Sequence, residues 1–268
     1  MPFVRSEKAF SNQEMPVTAA VADSLWIRRP APNPQARLRL FCFPYAGSTA
    51  SAFRNWPDHL PACVEVCPLQ LPGRENRLDE VPFTSLEPMV RTLANVLSPF
   101  MDRPFAFYGH SMGTLIAFEL ARELRRLRRP LPVQLFVSGR CAPHISDPDK
   151  RLHKLSDAEF IEGLRRYNGT PEAVLNNAAL MEFMLPLLRA DFTACETYTC
   201  KGEQPLDIPI SAFAGTEEYC RDMLGAWGDQ TSAHFEEELV TGGHFFLHSE
   251  RARFVGIISR KLLEKIGS

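Results

Sequence analysis

The segment PFAFYGHSMGTLIAFELARELRRL, residues 104–127, constrains the fold more than any other. An apolar, aromatic run ends at Gly109. A long run of helix-forming residues starts after Gly113, and Ser111 stands between them. A strand that passes straight into a helix is the building unit of parallel sheets, because a crossover must carry the chain back before the next strand pairs. The same rhythm recurs along the chain. LRLFCF (38–43), CVEVCPLQL (63–71), PVQLFVSG (132–139), IPISAFAG (208–215) and HFEEELV (234–240) read as further strands. Leu86, Met89, Val90, Leu93, Val96 and Leu97 fall at helical spacing. SAFRNWPDHL and DMLGAWG read as short helices, GGHFFLH as a loop and ERARFVGIISRKLLEKI as a closing helix. The expectation is an α/β protein with a mostly parallel central sheet and helices on both faces.

The rhythm breaks after residue 140. LSDAEFIEGLRRY opens on Ser156 with Glu159 three residues on, a capping box. TPEAVLNN offers Thr170 as N-cap and Pro171 at the first helical position. AALMEFMLPLLRADFTACETY reads as an apolar helix interrupted at Pro186. The expected organisation is an irregular, Pro-rich lead-in (1–36), a first part of the core (37–140), a helical lid insertion (141–205) and a second part of the core (206–268).

Net charge is −2, which argues against a dedicated nucleic-acid binder. The seven cysteines include no C-x-x-C pair and several lie in apolar runs, as reduced, buried thiols of a cytosolic protein do. The N-terminal MPFVRSEKAF has no apolar core of a signal peptide, and no run of about 18 apolar residues occurs. A cytoplasmic protein without membrane contact is expected. Without a coiled-coil seam, it is expected to be a monomer.

Between a strand and a helix, G-x-S-x-G gains meaning that the bare motif lacks. The sharp turn lifts Ser111 clear of the sheet and sets it at a helix N-terminus, where unpaired N–H groups favour developing negative charge. One oxyanion N–H is expected from Met112, directly after the serine. The other is expected from PYAGS, at Ala46 or Tyr45. A serine needs a base, and this architecture orders the partners Ser, acid, His. Of His144, His153, His234, His244 and His248, His244 is preferred because GGH lies between a strand and the last helix. His244 and His248 have H-x-x-x-H spacing. Phe245, Phe246 and Leu247 separate them, with no Glu after the first His and no obvious third ligand, so no metal is expected. The acid belongs after IPISAFAG, where the sequence is GTEEYCRD. Glu217 and Glu218 occupy that turn, Asp222 lies further on, and Asp207 precedes the strand at its wrong end.

FPYAGS, LPGRENR, GHSMG, LLRADF and GGHFFL follow one another in order over residues 37–265. Together they resemble the type II (external) thioesterases that accompany polyketide synthases, nonribosomal peptide synthetases and animal fatty acid synthase. The resemblance implies an α/β-hydrolase fold with a helical lid. It implies hydrolysis of acyl groups from the phosphopantetheine thiol of a carrier protein, and no cofactor. It puts the nucleophile at Ser111, the base at His244 and the acid at Glu218, where the family usually has aspartate; Glu217 is the runner-up. A slot between lid and core would receive the acyl arm, with Tyr45, Met181, Phe183, Met184, Leu187 and Leu188 as candidates to line it. The basic run RELRRLRRP (122–130) reads as charge at a helix C-terminus and a solvated face. Editing of stalled carriers is the first reading. Release of medium-chain fatty acids, general esterase activity and non-catalytic carrier binding are the alternatives.

Overall fold

Apolar residues fill both faces of the strand segments, and the strands accordingly assemble into a sheet buried on both sides. The computed structural model describes residues 25–145, 152–167 and 172–267. Strands β1 (Leu38–Phe43), β2 (Val64–Pro68), β3 (Phe105–His110), β4 (Leu135–Ser138), β5 (Ile210–Gly215) and β6 (Phe235–Val240) lie in the order β2-β1-β3-β4-β5-β6. All five neighbouring pairs are parallel. Every residue of β1, β3, β4 and β5 is buried, whereas the edge strand β6 is only partly buried, with Glu237 and Leu239 exposed.

Helices α1 (Leu86–Leu97) and α2 (Met112–Arg126) cover one face, packing Leu93, Leu97, Leu115 and Ile116 on Phe41 and Phe107. The other face is covered by α7 (Arg251–Gly267), through Phe254, Val255 and Ile258, together with Phe53 and Trp56. Between β4 and β5 stand α3 (Asp157–Tyr167), the single turn α4 (Glu172–Leu175) and α5 (Ala178–Glu196). These helices have a small core of their own, made of Phe160, Leu164, Leu175, Met181 and Leu188.

Local chemistry explains the elements. Ser156 and Glu159 form the reciprocal capping box, with Glu159 N donating to Ser156 Oγ at 3.4 Å and Ser156 N to Glu159 Oε2 at 3.1 Å. Thr170 and Pro171 lie outside the described residues. Four expectations need correction. The long helix α5 runs unbroken through Pro186. Pro186 and Glu182 are both exposed, so the carbonyl that loses its intrahelical donor faces water. Strand β2 stops at Pro68; the next residues turn to the lead-in, where Ile27 pairs antiparallel with Leu69. SAFRNWPDHL forms two short 3-10 turns, Ala50–Phe53 and Pro57–His59, because Pro57 starts a new turn. GGHFFLH is not all loop, since α6 (Phe246–Ser249) makes one helical turn there.

Candidate active site

Ser111 takes φ 53° and ψ −111°, a left-handed conformation that costs a non-glycine residue energy. The turn is held by its surroundings: Ser111 N donates to Ser138 O at 2.8 Å, and Thr114 Oγ1 donates to Gly109 O at 2.8 Å. The two motif glycines are sites of backbone contact. A Cβ on Gly109 would lie 2.2 Å from Gly113 O, and a Cβ on Gly113 would lie 2.0 Å from Phe43 O. Both obstacles are main chain and cannot rotate away. Gly113→Ala is therefore expected to destabilise the fold by about 3 kcal/mol or more, measurable as a lower urea midpoint and a falling soluble yield. An unchanged midpoint would show that β1 and α2 are free to separate.

The segment after β6 brings His244 over the end of the sheet, and the turn after β5 supplies its partner. His244 Nδ1 and Glu218 Oε1 are 2.6 Å apart. The second carboxylate oxygen of Glu218 accepts from Gly215 N at 2.6 Å. Glu218 is buried and Glu217 is exposed. Both charge-assisted contacts hold the carboxylate in one orientation. Asp222 and Asp207 are exposed and have no part in this arrangement.

Behind His244 lies His110, wholly buried, with ring centroids 4.9 Å apart. Burial, then the neighbouring His244 and His248, push the His110 pKa well below the usual value. It stays neutral against Ser138 Oγ, 2.8 Å away. His248, weighed in the sequence as a base and as a metal ligand, meets Tyr45 OH at 2.8 Å through Nε2. The Tyr45 ring packs edge-on against Phe245, so the FPYAGS loop is fastened to the histidine-bearing segment. Among the described residues no group of three His, Cys, Asp or Glu could hold a metal ion.

As the first residue of α2, Met112 carries an N–H with no partner inside the helix. Ala46 lines the same cavity as Ser111. Its neighbour Gly47 has its N–H committed, donating to Asp191 Oδ2 at 2.7 Å. Asp191, on α5, also receives Arg74 Nη2 on Oδ1 at 2.8 Å and Arg74 Nη1 on Oδ2 at 3.0 Å. Arg74 Nη1 further donates to Ser48 O at 2.8 Å. Both side chains are buried, at 2% and 1% exposure. Three of the motifs read in the sequence, FPYAGS, LPGRENR and LLRADF, thus meet in one buried ion pair.

A cavity of about 400 Å³ opens between this loop and α5, and Ser111 and His244 both line it. From α5 it receives Leu180, Met184, Leu188, Phe192 and Glu196, a series at i+4 spacing on one helical face. Of the candidates named from the sequence, Tyr45, Met184 and Leu188 line this cavity. Met181 is turned instead into the core shared with α3 and α4. Phe183 is 60% exposed, and neither it nor Leu187 lines the cavity, because both lie on other sides of the helix. Of the lining residues missed on α5, Leu180, Phe192 and Glu196 follow by fours from Met184, a signal present in the sequence once the facing side is known.

The remaining histidines lie elsewhere. His144 contacts Gln230, His234 is exposed and His153 pairs with Glu196. The basic run is engaged in ion pairs: Arg122, Arg125 and Arg126 all reach Glu203. Against the effect of burial, Arg126 and Arg122 hold the Glu203 carboxyl at about 2. Five of the seven cysteines are buried, and burial pushes the Cys67 thiol up to about 12. Among the described residues no helix is long and apolar enough to cross a membrane.

A six-stranded parallel sheet that presents a serine after its third strand and an imidazole after its last has the architecture of the α/β-hydrolases. Within that class the chain belongs to the thioesterase family, whose domain model matches residues 38–262. It is 46% identical over 239 residues to the gramicidin S biosynthesis protein GrsT of Aneurinibacillus migulanus, covering 88% of this chain and 93% of that protein. It is 44% identical over 247 residues to a protein of Brevibacillus parabrevis named linear gramicidin dehydrogenase LgrE, covering 90% and 94%. That name notwithstanding, the present sequence contains no G-x-G-x-x-G dinucleotide fingerprint. Among solved structures it is similar to RedJ, a thioesterase from the prodiginine pathway of Streptomyces coelicolor. The TM-score is 0.80 at 40% identity, covering 92% of this chain and 91% of that one.

Proposed function

We propose that this thioesterase removes acyl groups from the phosphopantetheine thiol of carrier proteins, clearing stalled or wrongly loaded synthase modules. The reading is carried by one observation: a largely apolar cavity has Ser111 and His244 in its wall. Such a cavity suits an acyl chain delivered on a flexible arm.

Ser111 Oγ attacks the thioester carbonyl while His244 Nε2 takes its proton. Glu218 holds the imidazole in the tautomer that leaves Nε2 free and stabilises the imidazolium. The N–H groups of Met112 and Ala46 receive the oxyanion. Collapse expels the pantetheine sulfur, which regains a proton from His244. A water activated by His244 then attacks the acyl-enzyme, releasing the free acid and restoring Ser111. The helices α3, α4 and α5 act as a lid over the cavity, with Met184 and Leu188 against the acyl group.

Intact-mass spectrometry of an acyl-loaded carrier protein tests the reading. The expected result is loss of the acyl mass from the carrier, with a transient acyl adduct on the peptide that contains Ser111. Cleavage of small soluble esters with the loaded carrier left intact would assign the protein to general esterases instead.

A further inference from the structure

The loop that leaves β1 is tied down on both sides of Ala46. On the far side Gly47 N donates to Asp191 Oδ2 at 2.7 Å. On the near side the tie is a side chain: Tyr45 OH meets His248 Nε2 at 2.8 Å, across 203 residues of chain. Between the two ties, Ala46 N has no acceptor among the described residues.

Burial decides which way the Tyr45–His248 bond points. It pushes the Tyr45 phenol up, against a smaller pull down from the Ser48 hydroxyl, so Tyr45 keeps its proton. Burial, then the Arg251 charge, push the His248 pKa below its usual value, which leaves Nε2 a free lone pair at neutral pH. The phenol therefore donates and the imidazole accepts. Tyr45 and Phe245 line the cavity, whereas His248 does not. The His248 ring lies parallel to Phe245, with 9° between planes and centroids 6.4 Å apart. Tyr45 stands edge-on to both, 5.0 Å from Phe245 and 5.8 Å from His248. The acceptor is thus held behind the cavity wall rather than in it.

We propose that His248 is a positioning residue: by accepting from Tyr45 OH it holds the turn in which the Ala46 N–H meets the oxyanion. This rests on the thioesterase reading above and adds a residue to it. Ser48 N donates to Tyr45 O at 3.0 Å, so the tyrosine main chain and the turn that follows it move together. A Tyr45 ring released from His248 would carry the neighbouring N–H with it. A donor aimed at developing charge loses much of its effect when it is misplaced. The clamp therefore acts on the transition state and leaves ground-state binding unchanged.

The test compares steady-state kinetics on one acyl-loaded carrier protein for wild type, Tyr45→Phe, His248→Phe, His248→Gln and the double variant Tyr45→Phe with His248→Phe. Tyr45→Phe and His248→Phe are each expected to lower kcat about three- to tenfold, the scale of one hydrogen bond, with KM within about twofold of wild type. The double variant should match either single one, because both changes remove the same bond. His248→Gln, which can present an amide oxygen where Nε2 stands, should keep most of the wild-type kcat. An alkyl trifluoromethyl ketone gives an independent readout. Ser111 Oγ adds to its carbonyl carbon, the serine proton passes to His244, and the resulting alkoxide takes the oxyanion position. Its inhibition constant should rise by the factor by which kcat falls. Unchanged kcat in both single variants, losses that add in the double variant, a change confined to KM, no recovery in His248→Gln, or an inhibition constant that stays fixed while kcat falls would each overturn the proposal. Tyr45→Phe removes only an oxygen, so its kcat and inhibition constant decide the matter even if His248→Phe fails to fold. Wild-type enzyme that cleaves small esters and leaves the loaded carrier intact would strike the thioesterase reading instead; the same ratios, measured on the ester, would still decide the clamp.

Discussion

Glu218→Ala is expected to lower kcat for acyl-carrier hydrolysis by about 10⁴-fold, the loss that follows when a serine hydrolase loses the group orienting its histidine. Glu217→Ala is expected to stay within about threefold of wild type, as surface changes usually do. The difference follows from placement. Glu218 is buried and spans His244 Nδ1 and Gly215 N, at 2.6 Å each, while its neighbour is exposed. Ser111→Ala should lose about 10⁶-fold, and adding Glu218→Ala to it should cost little more, because the residues act as a unit. Steady-state kinetics on one loaded carrier checks all four proteins, with thermal melting to confirm that each is folded. Equal losses for the two glutamates would remove Glu218 from the triad.

Asp191→Ala is expected to destabilise the protein by about 3–5 kcal/mol, because it strands the buried Arg74 guanidinium without its counter-charge. For a chain of this size that is on the order of 10 °C in melting temperature. Activity should fall further than stability alone explains, measured well below the melting transition. The reason is Gly47, whose N–H loses its acceptor and with it the restraint on the adjoining Ala46. The double change Arg74→Met with Asp191→Leu separates the two effects: it removes both charges and should recover much of the stability while leaving the loop untied. Full activity in that double variant would show that the ion pair serves the fold only.

The sheet was legible because its strands are short apolar runs set between helices, and periodicity reports that directly. Ser111 and His244 were legible because chain order and strand–turn–helix context restrict where such residues can stand. Choosing between Glu217 and Glu218 from the turn alone was not possible, since adjacent residues in a tight turn face opposite ways and the sequence does not show which way is inward; the family resemblance pointed to Glu218. The lining of the cavity was half-read for a similar reason. A helix such as α5, apolar on several sides, hides which stripe faces the cavity and which faces α3, so Met181 and Met184 look alike until the helix is placed. LPGRENR and LLRADF could be noticed as motifs, yet the union of Arg74 with Asp191 spans 117 residues and no local pattern announces it.

That union also sets the mechanics of entry. Asp191 lies toward the C-terminal end of α5, locked to the loop that carries Ala46. If the helical layer swung away as one piece, it would tear a buried charge from its partner and slacken the loop that carries Ala46 in the same movement. Motion is cheap only ahead of that anchor, where Leu180 and Met184 are less buried and α4 is a single turn. The layer is thus a lever with its fulcrum at Asp191. On the proposed reading, its free end would rise to admit an acyl arm while the fixed end keeps the Ala46 loop in register, so that door and machinery would share an anchor without sharing the motion.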